Sequence, residues 1–323
     1  MSDFEWKYLG PIFDAHTHIW NTSFLDKTLE ELNQLGIKAQ LVIAHLKETR
    51  DIADQLPGQF VFAKYLSTRD IVAFRINGVV HEIKKMRDEG FTLAKMWVAP
   101  GWRNYMQNLT SAFSITDPRL APIFSTLEAE GYPLLFHVAD PDTYYATTYA
   151  KSAIYGTKEE HLNQLEKLIE KYSDLTFQLA HFGAQPEIHR LPHLGKWFDQ
   201  YPNIVVDTAS SRWMARELSK DPKKARQFLI RYSKRILFGT DATLNKPPEE
   251  QNLKQSNANQ LSPYNRRFLA QRILWETKDR KVPLPFPDPD TEAHGGTFIN
   301  GLNLPKRVLA DLYWRNAQRL YGH

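Results

Sequence analysis

A chain of 323 residues with 42% hydrophobic and 24% charged residues can bury a sizeable core, and its composition is neither that of a disordered nor of a membrane-embedded protein. The 41 basic and 37 acidic residues leave a formal charge of +4 without a basic tract of the kind that binds nucleic acid. With no cysteine, disulfides, thiolate nucleophiles and thiolate ligands are excluded, so any metal must be held by imidazole and carboxylate.

Met1 to Gly10 is acidic and aromatic, unlike a signal peptide, and no apolar run approaches membrane-spanning length, so a cytoplasmic protein without a membrane partner is expected. Eight short apolar runs follow in order: Ile12 to Ala15, Ala39 to Ala44, Phe60 to Leu66, Thr92 to Val98, Pro133 to Val138, Thr176 to Ala180, Ile204 to Asp207 and Arg235 to Gly239. Most are continuously apolar, as strands covered on both faces should be. Helical patterns lie between them, at Lys27 to Leu35, Val79 to Glu89, Pro118 to Glu130, Glu159 to Tyr172 and Met214 to Tyr232. The third has clear ends: Asp117-Pro118 is an N-cap with a first-turn proline, and Gly131 follows its last turn. Eight such units predict an α/β chain of (β/α)8 barrel type, one domain over 1–323. An excursion follows the eighth strand: polar Asn245 to Gln260, a helix over Leu261 to Asp279, and Val282 to Asp290 with four prolines, before a last helix over Pro305 to Tyr321.

The first strand runs into Asp14-Ala15-His16-Thr17-His18, where residues two apart share a side, so both imidazoles can face one ion. Further candidate ligands stand at the C-terminal ends of predicted strands: His137 ends the fifth, His181 the sixth and Asp241 the eighth. In a parallel barrel these ends meet at one rim, where active sites form. Three imidazoles and a carboxylate suit zinc, or manganese or iron, with a position left for water. The fourth imidazole, His181, is then free to orient or deprotonate water, or to hydrogen-bond a developing oxyanion.

Phe13-Asp14-Ala15-His16-Thr17-His18, Gly131 to His137, Leu179-Ala180-His181-Phe182-Gly183, Tyr201 to Thr208, Arg235 to Asp241 and the ending Leu304-Pro305 to Gly322 together resemble the amidohydrolase superfamily. The similar branch holds metal-dependent hydrolases and nonoxidative decarboxylases such as aminocarboxymuconate semialdehyde decarboxylase. The resemblance implies His16, His18, His137 and Asp241 as metal ligands, His181 as the catalytic histidine, and a second part for Asp241 as proton acceptor. For Lys95, near the end of the fourth strand, it leaves two readings: a carboxylated lysine bridging two ions, or a lysine without that role.

Weaker candidates for substrate contact follow the strands: His45; Trp97 and Trp102; Asp140, Asp142 and Tyr144; Arg212 with Trp213. There an arginine can clamp a carboxylate and a tryptophan can stack on a ring. His294 lies in a glycine-rich part of the excursion, where it either closes over substrate or has no role. The stretches Trp102 to Ala112 and Asn245 to Asn303 are expected to shape the pocket or an interface, and a homodimer is a mild expectation. The leading expectation is hydrolysis of an ester, lactone or amide of a small molecule with a divalent metal, zinc first, and no organic cofactor. Nonoxidative decarboxylation of a small acid is the alternative, and a non-catalytic ligand-binding barrel the second alternative.

Overall fold

The computed structural model describes residues 5–19, 25–44, 49, 58–106, 113–243 and 262–322. Its strands are β1 (Ile12–Ile19), β2 (Ile37–Ala44), β3 (Phe60–Tyr65), β4 (Leu93–Trp97), β5 (Leu134–His137), β6 (Phe177–Leu179), β7 (Ile204–Asp207), β8 (Ile236–Leu237) and β9 (Ala242–Thr243). They pair in parallel in the order 8-7-6-5-4-3-2-1-9. The expected eighth strand is split in two. Its first half pairs with β7, its second half with β1, and between them Ala15 N–H donates to Phe238 O at 2.7 Å and Asp241 N–H to His16 O at 2.9 Å. The first strand therefore bonds to the eighth, and the sheet closes into a (β/α)8 barrel.

The period of two along each strand sorts the apolar residues into two cores. Ala39, Leu41 and Ile43 of β2, Val61 and Ala63 of β3, Leu93 of β4 and Leu135 of β5 fill the barrel interior, while Val42, Phe62, Met96 and Phe136 pack outward against helices. The final helix, Asn316–Tyr321, closes the interior from one end, where the Tyr321 ring stacks on Phe13 with centroids 5.3 Å apart. In β1 the pairing with β2 slips between Asp14 and Thr17. Phe13 and Ala15 are interior before that slip, and His16 and His18 line the interior after it.

Three expected helices are interrupted. Met214 to Tyr232 is two helices, Ser211–Leu218 and Pro222–Arg231, because Pro222 cannot continue a helix and Asp221 caps the new one by accepting from Lys224 N at 3.0 Å. Pro118 to Glu130 is a short 3-10 turn, Pro118–Leu120, running into Ala121–Glu130. The last helix passes through a π turn at Asp311–Arg315. In the excursion, the helix Pro263–Glu276 starts at the cap Ser262, and Val282–Pro283 pairs antiparallel with Phe298–Ile299. Residues 244–261 lie outside the described residues. Among the described residues, no helix is long and apolar enough to cross a membrane.

The seam between β1 and β8 rests on one buried carboxylate. Asp14 accepts from Thr240 N at 3.0 Å, Thr240 Oγ1 at 2.6 Å, Tyr264 Oη at 2.8 Å and His16 N at 3.2 Å. Asp14→Ala strands these buried donors and is expected to lower the unfolding free energy by about 2–4 kcal/mol. Chemical denaturation checks this; an unchanged midpoint would show that closure does not depend on Asp14.

Candidate metal centre

At the rim, His16 from β1 is 1% exposed and His18 is partly exposed. Their Nε2 atoms lie 3.5 and 3.4 Å from the same oxygen, Asp241 Oδ1. Asp241 is turned into the group by a left-handed backbone (φ 58°), a conformation a side chain adopts at a cost and one held here by its N–H bond to His16 O. One ligand atom from each of the three residues falls within 4.8 Å of the others, a span that one ion can bridge. Burial alone would raise the Asp241 carboxyl. The hydrogen bond from His18 and the neighbouring His181 and His16 reverse this and hold it well below the usual carboxylate range.

Two buried carboxylates orient the imidazoles. His16 Nδ1 lies 2.9 Å from Asp207 Oδ2, and His137 Nε2 lies 2.9 Å from Asp140 Oδ1. Asp207 opposes the effect of its burial through His16, His181 and the amide of Gln178, so it stays ionised and makes His16 Nδ1 the donor. Nε2 of His16 then carries the lone pair toward the centre, the arrangement that prepares an imidazole as a ligand. Asp140 is held low by His137 against its burial and also accepts from Tyr149 Oη at 2.7 Å. His137 lines the same cavity, but its Nε2 is turned to Asp140 and it does not join the three-residue group. Nδ1 is the nitrogen it has left for an ion.

His181 does not end the sixth strand, as the sequence suggests. β6 stops at Leu179, and residues 181–184 form a left-handed turn with φ between 57° and 61°. Asp207 supports this strained turn by accepting from His181 N at 2.9 Å. The ring is 3% exposed, sits 4.3 Å from the His137 ring and 5.1 Å from both His16 and Trp213, and its Nδ1 has no hydrogen-bond partner. Burial, reinforced by His137, pushes its pKa down to about 3, leaving a neutral imidazole.

The cavity over these residues encloses about 610 Å³ and has an aromatic wall of Tyr65, Trp97 and Tyr105. A second cavity of about 480 Å³ shares Asp241 with it and holds Tyr144, Arg212 and Trp213. Trp97, Tyr144 and Arg212 thus stand at the site. Trp102 is fully buried against Phe113 and lines neither cavity, Asp142 is tied up with Lys158 and Arg190, and His294 is exposed and apart from both cavities. His45 lies outside the described residues. Sequence reasoning assigned no role to Asp207, although its place at the end of β7 repeats the pattern that exposed His137. Arg266 and Arg267 carried no signal, since their helix reaches the rim only through the folded excursion.

Two imidazoles and a carboxylate with convergent atoms, imidazoles oriented by carboxylates and an unpartnered buried His181 Nδ1 fit a divalent ion. The family model for amidohydrolases matches residues 90–323, a span that contains Lys95, His137, His181 and Asp241 but not His16 and His18. No curated protein matches the chain in sequence. Among solved structures, the chain is similar to 5-carboxyvanillate decarboxylase from Sphingomonas paucimobilis (12% identity, TM-score 0.53, covering 97% of this chain and 99% of that one). It is also similar to the Novosphingobium aromaticivorans 5-carboxyvanillate decarboxylase complexed with manganese and 4-hydroxy-3-methoxy-5-nitrobenzoic acid (13%, 0.54, 98% and 97%). A Staphylococcus aureus protein described as an amidohydrolase aligns over 97% of this chain and all of its own, at 14% identity and TM-score 0.58. At these identities the likeness shows a shared fold.

Lys95 reaches the same interior from β4, 2% exposed and with no hydrogen bond or ion pair to its amine among the described residues. Burial pushes its pKa down to about 8, partly offset by Asp207, Asp241 and Asp140. Between about pH 8 and its ordinary 10.5 the unfolded chain keeps a proton that the folded chain has released, so stability rises with pH across that window. In chelator-treated protein, Lys95→Met is expected to remove this rise and to increase stability at neutral pH, as followed by denaturation at several pH values. A loss of stability on substitution would show that the amine is bound in a way this geometry lacks.

Proposed function

The chain belongs to the amidohydrolase family, and from that premise we propose that it is a metal-dependent hydrolase acting on an ester, lactone or amide carbonyl of a small molecule. It is an enzyme, and the family implies a divalent metal. The observation that carries the reading is the meeting of His16 Nε2, His18 Nε2 and the Asp241 carboxylate on one point at the mouth of the barrel. In this reading His16, His18, His137 and Asp241 hold the ion, and residues 1–323 form one barrel domain. The imidazole-rich donor set favours zinc, and the manganese in the Novosphingobium enzyme supports a divalent ion in general.

A divalent ion supplies Lewis acidity there, polarising a carbonyl and acidifying water. The chain's own residues manage the proton and the charge. Asp241, ionised and facing the cavity, accepts a proton from the attacking water through its carboxylate. Neutral His181, packed between His137, His16 and Trp213, lines the cavity and stands beside the substrate oxygen that gains charge. Asp207 keeps His16 in one tautomer and supports the turn that carries His181, so both stay placed through the reaction. The aromatic wall of Tyr65, Trp97 and Tyr105 excludes water from one side.

The Asp241 carboxylate borders both cavities, a position suited to taking a proton from water. The second reading, nonoxidative decarboxylation of a small acid, draws its support from the two 5-carboxyvanillate decarboxylases that share the fold.

Elemental mass spectrometry on protein purified without added metal is expected to find about one ion per chain, and His16→Ala and Asp241→Asn to lose it. Full metal content in both variants would refute the ligand set. Turnover in 18O-labelled water is expected to place the label in the product, whereas carbon dioxide release from an acid substrate without label uptake would establish the second reading.

A further inference from the structure

The cavity on the far side of Asp241 carries a charge pattern that the proposed proton chemistry leaves unused. Three guanidinium groups line it, those of Arg212, Arg266 and Arg267. The one acidic residue in its described wall is Asp241, whose carboxylate is already engaged by His16 and His18. The carboxylates behind the wall are committed elsewhere. Asp288 accepts from Arg216 Nη1 at 3.1 Å and from Thr297 Oγ1 at 2.7 Å, and Asp290 accepts from Arg216 Nη1 at 2.6 Å. Arg212 reaches Asp288 only at 3.6 Å, its buried Nε makes no hydrogen bond, and its Nη2 meets Tyr144 Oη at 3.4 Å. Arg267, half-buried on the helix Pro263–Glu276, has no ion pair with any described carboxylate. Sequestering the guanidinium groups of Arg212 and Arg267 in this way is costly unless an anion joins them.

We infer that this cavity is a subsite for a carboxylate of the substrate, separate from the group that reacts over the imidazoles. The substrate is accordingly a small organic acid long enough to span Asp241, with its reacting bond among the histidines and its carboxylate among the arginines. A guanidinium presents paired donors that match the two oxygens of a carboxylate, and Tyr144, Trp213 and Phe286 give the carbon skeleton flat apolar walls. A single negative charge suits a cavity backed by Asp288 and Asp290 better than a phosphate dianion does. The inference rests on the proposed function only in taking the histidine cavity as the reacting centre.

Calorimetric titration of the purified protein with 3-carbamoylbenzoate and with isophthalamide, which exchanges its one carboxylate for a neutral amide of similar shape, tests the subsite. The carboxylate compound is expected to bind about 10- to 100-fold more tightly. Arg267→Gln should bring the ratio close to one while metal content stays unchanged, and Arg212→Gln gives the same readout should the first variant fail to fold. Equal affinities in the wild-type protein, or no binding of either compound at millimolar concentration, overturn the subsite. A preference that survives both substitutions overturns it as well. Protein that holds no metal yet keeps an arginine-dependent preference for 3-carbamoylbenzoate supports the subsite while the metal reading fails.

Discussion

The seam where the first strand meets the eighth governs the rest of this structure. A parallel barrel closes only when its last strand finds its first, and here the meeting is made by backbone bonds from Ala15 to Phe238 and from Asp241 to His16, tied from behind by Asp14 to Thr240 and Tyr264. The same few residues that close the sheet also carry the chemistry. His16 and His18 belong to one side of the seam and Asp241 to the other, so closing the barrel assembles the candidate metal centre. Fold stability and site geometry are therefore coupled through Asp14, which touches no substrate.

Around that seam the barrel interior changes character from one end to the other. Toward the plug formed by Tyr321 it is apolar and packed. At the other end Asp207, His16, Lys95, His137 and His181 replace the aliphatic side chains, and Gln178 lies between, accepting from Tyr321 Oη at 2.5 Å. Buried polar groups of this density are tolerated because most are paired: Asp207 alone receives His16 Nδ1, Gln178 Nε2 and His181 N–H. Lys95 is an exception, and it lines the cavity, where a ligand or ion can complete its amine. Backbone strain gathers in the same place, at residues 181–184, Ser210 and Asp241. Backbone strain at these positions costs stability, and holding it at the rim preorganises the site.

The two cavities divide the labour that a substrate would require. The first is lined by imidazoles and aromatic rings, the second by guanidinium groups, and Asp241 stands between them. The loop that carries Asp288 and Asp290 also anchors Arg216, so the charges of the second cavity are set by an ion-pair network outside it.

How much of this could be read in the sequence follows from the range of the interactions. Strand and helix order, and hence the barrel, were legible because short continuous apolar runs, proline and capping residues act over a few residues. The placing of His16, His18, His137 and Asp241 at one rim was legible for the same reason, since parallel strands bring their C-terminal ends together. The break at Pro222 was also written locally, yet the amphipathic pattern running across it concealed it. What the tertiary structure decided is of another kind: the slip in β1 that keeps both histidines interior, the left-handed turn at His181, the pairing of His16 with Asp207 and of His137 with Asp140, and the convergence of Arg212 with Arg266 and Arg267. Each depends on contacts between segments many residues apart, and a local pattern of side chains carries no information about which distant segment will lie against it.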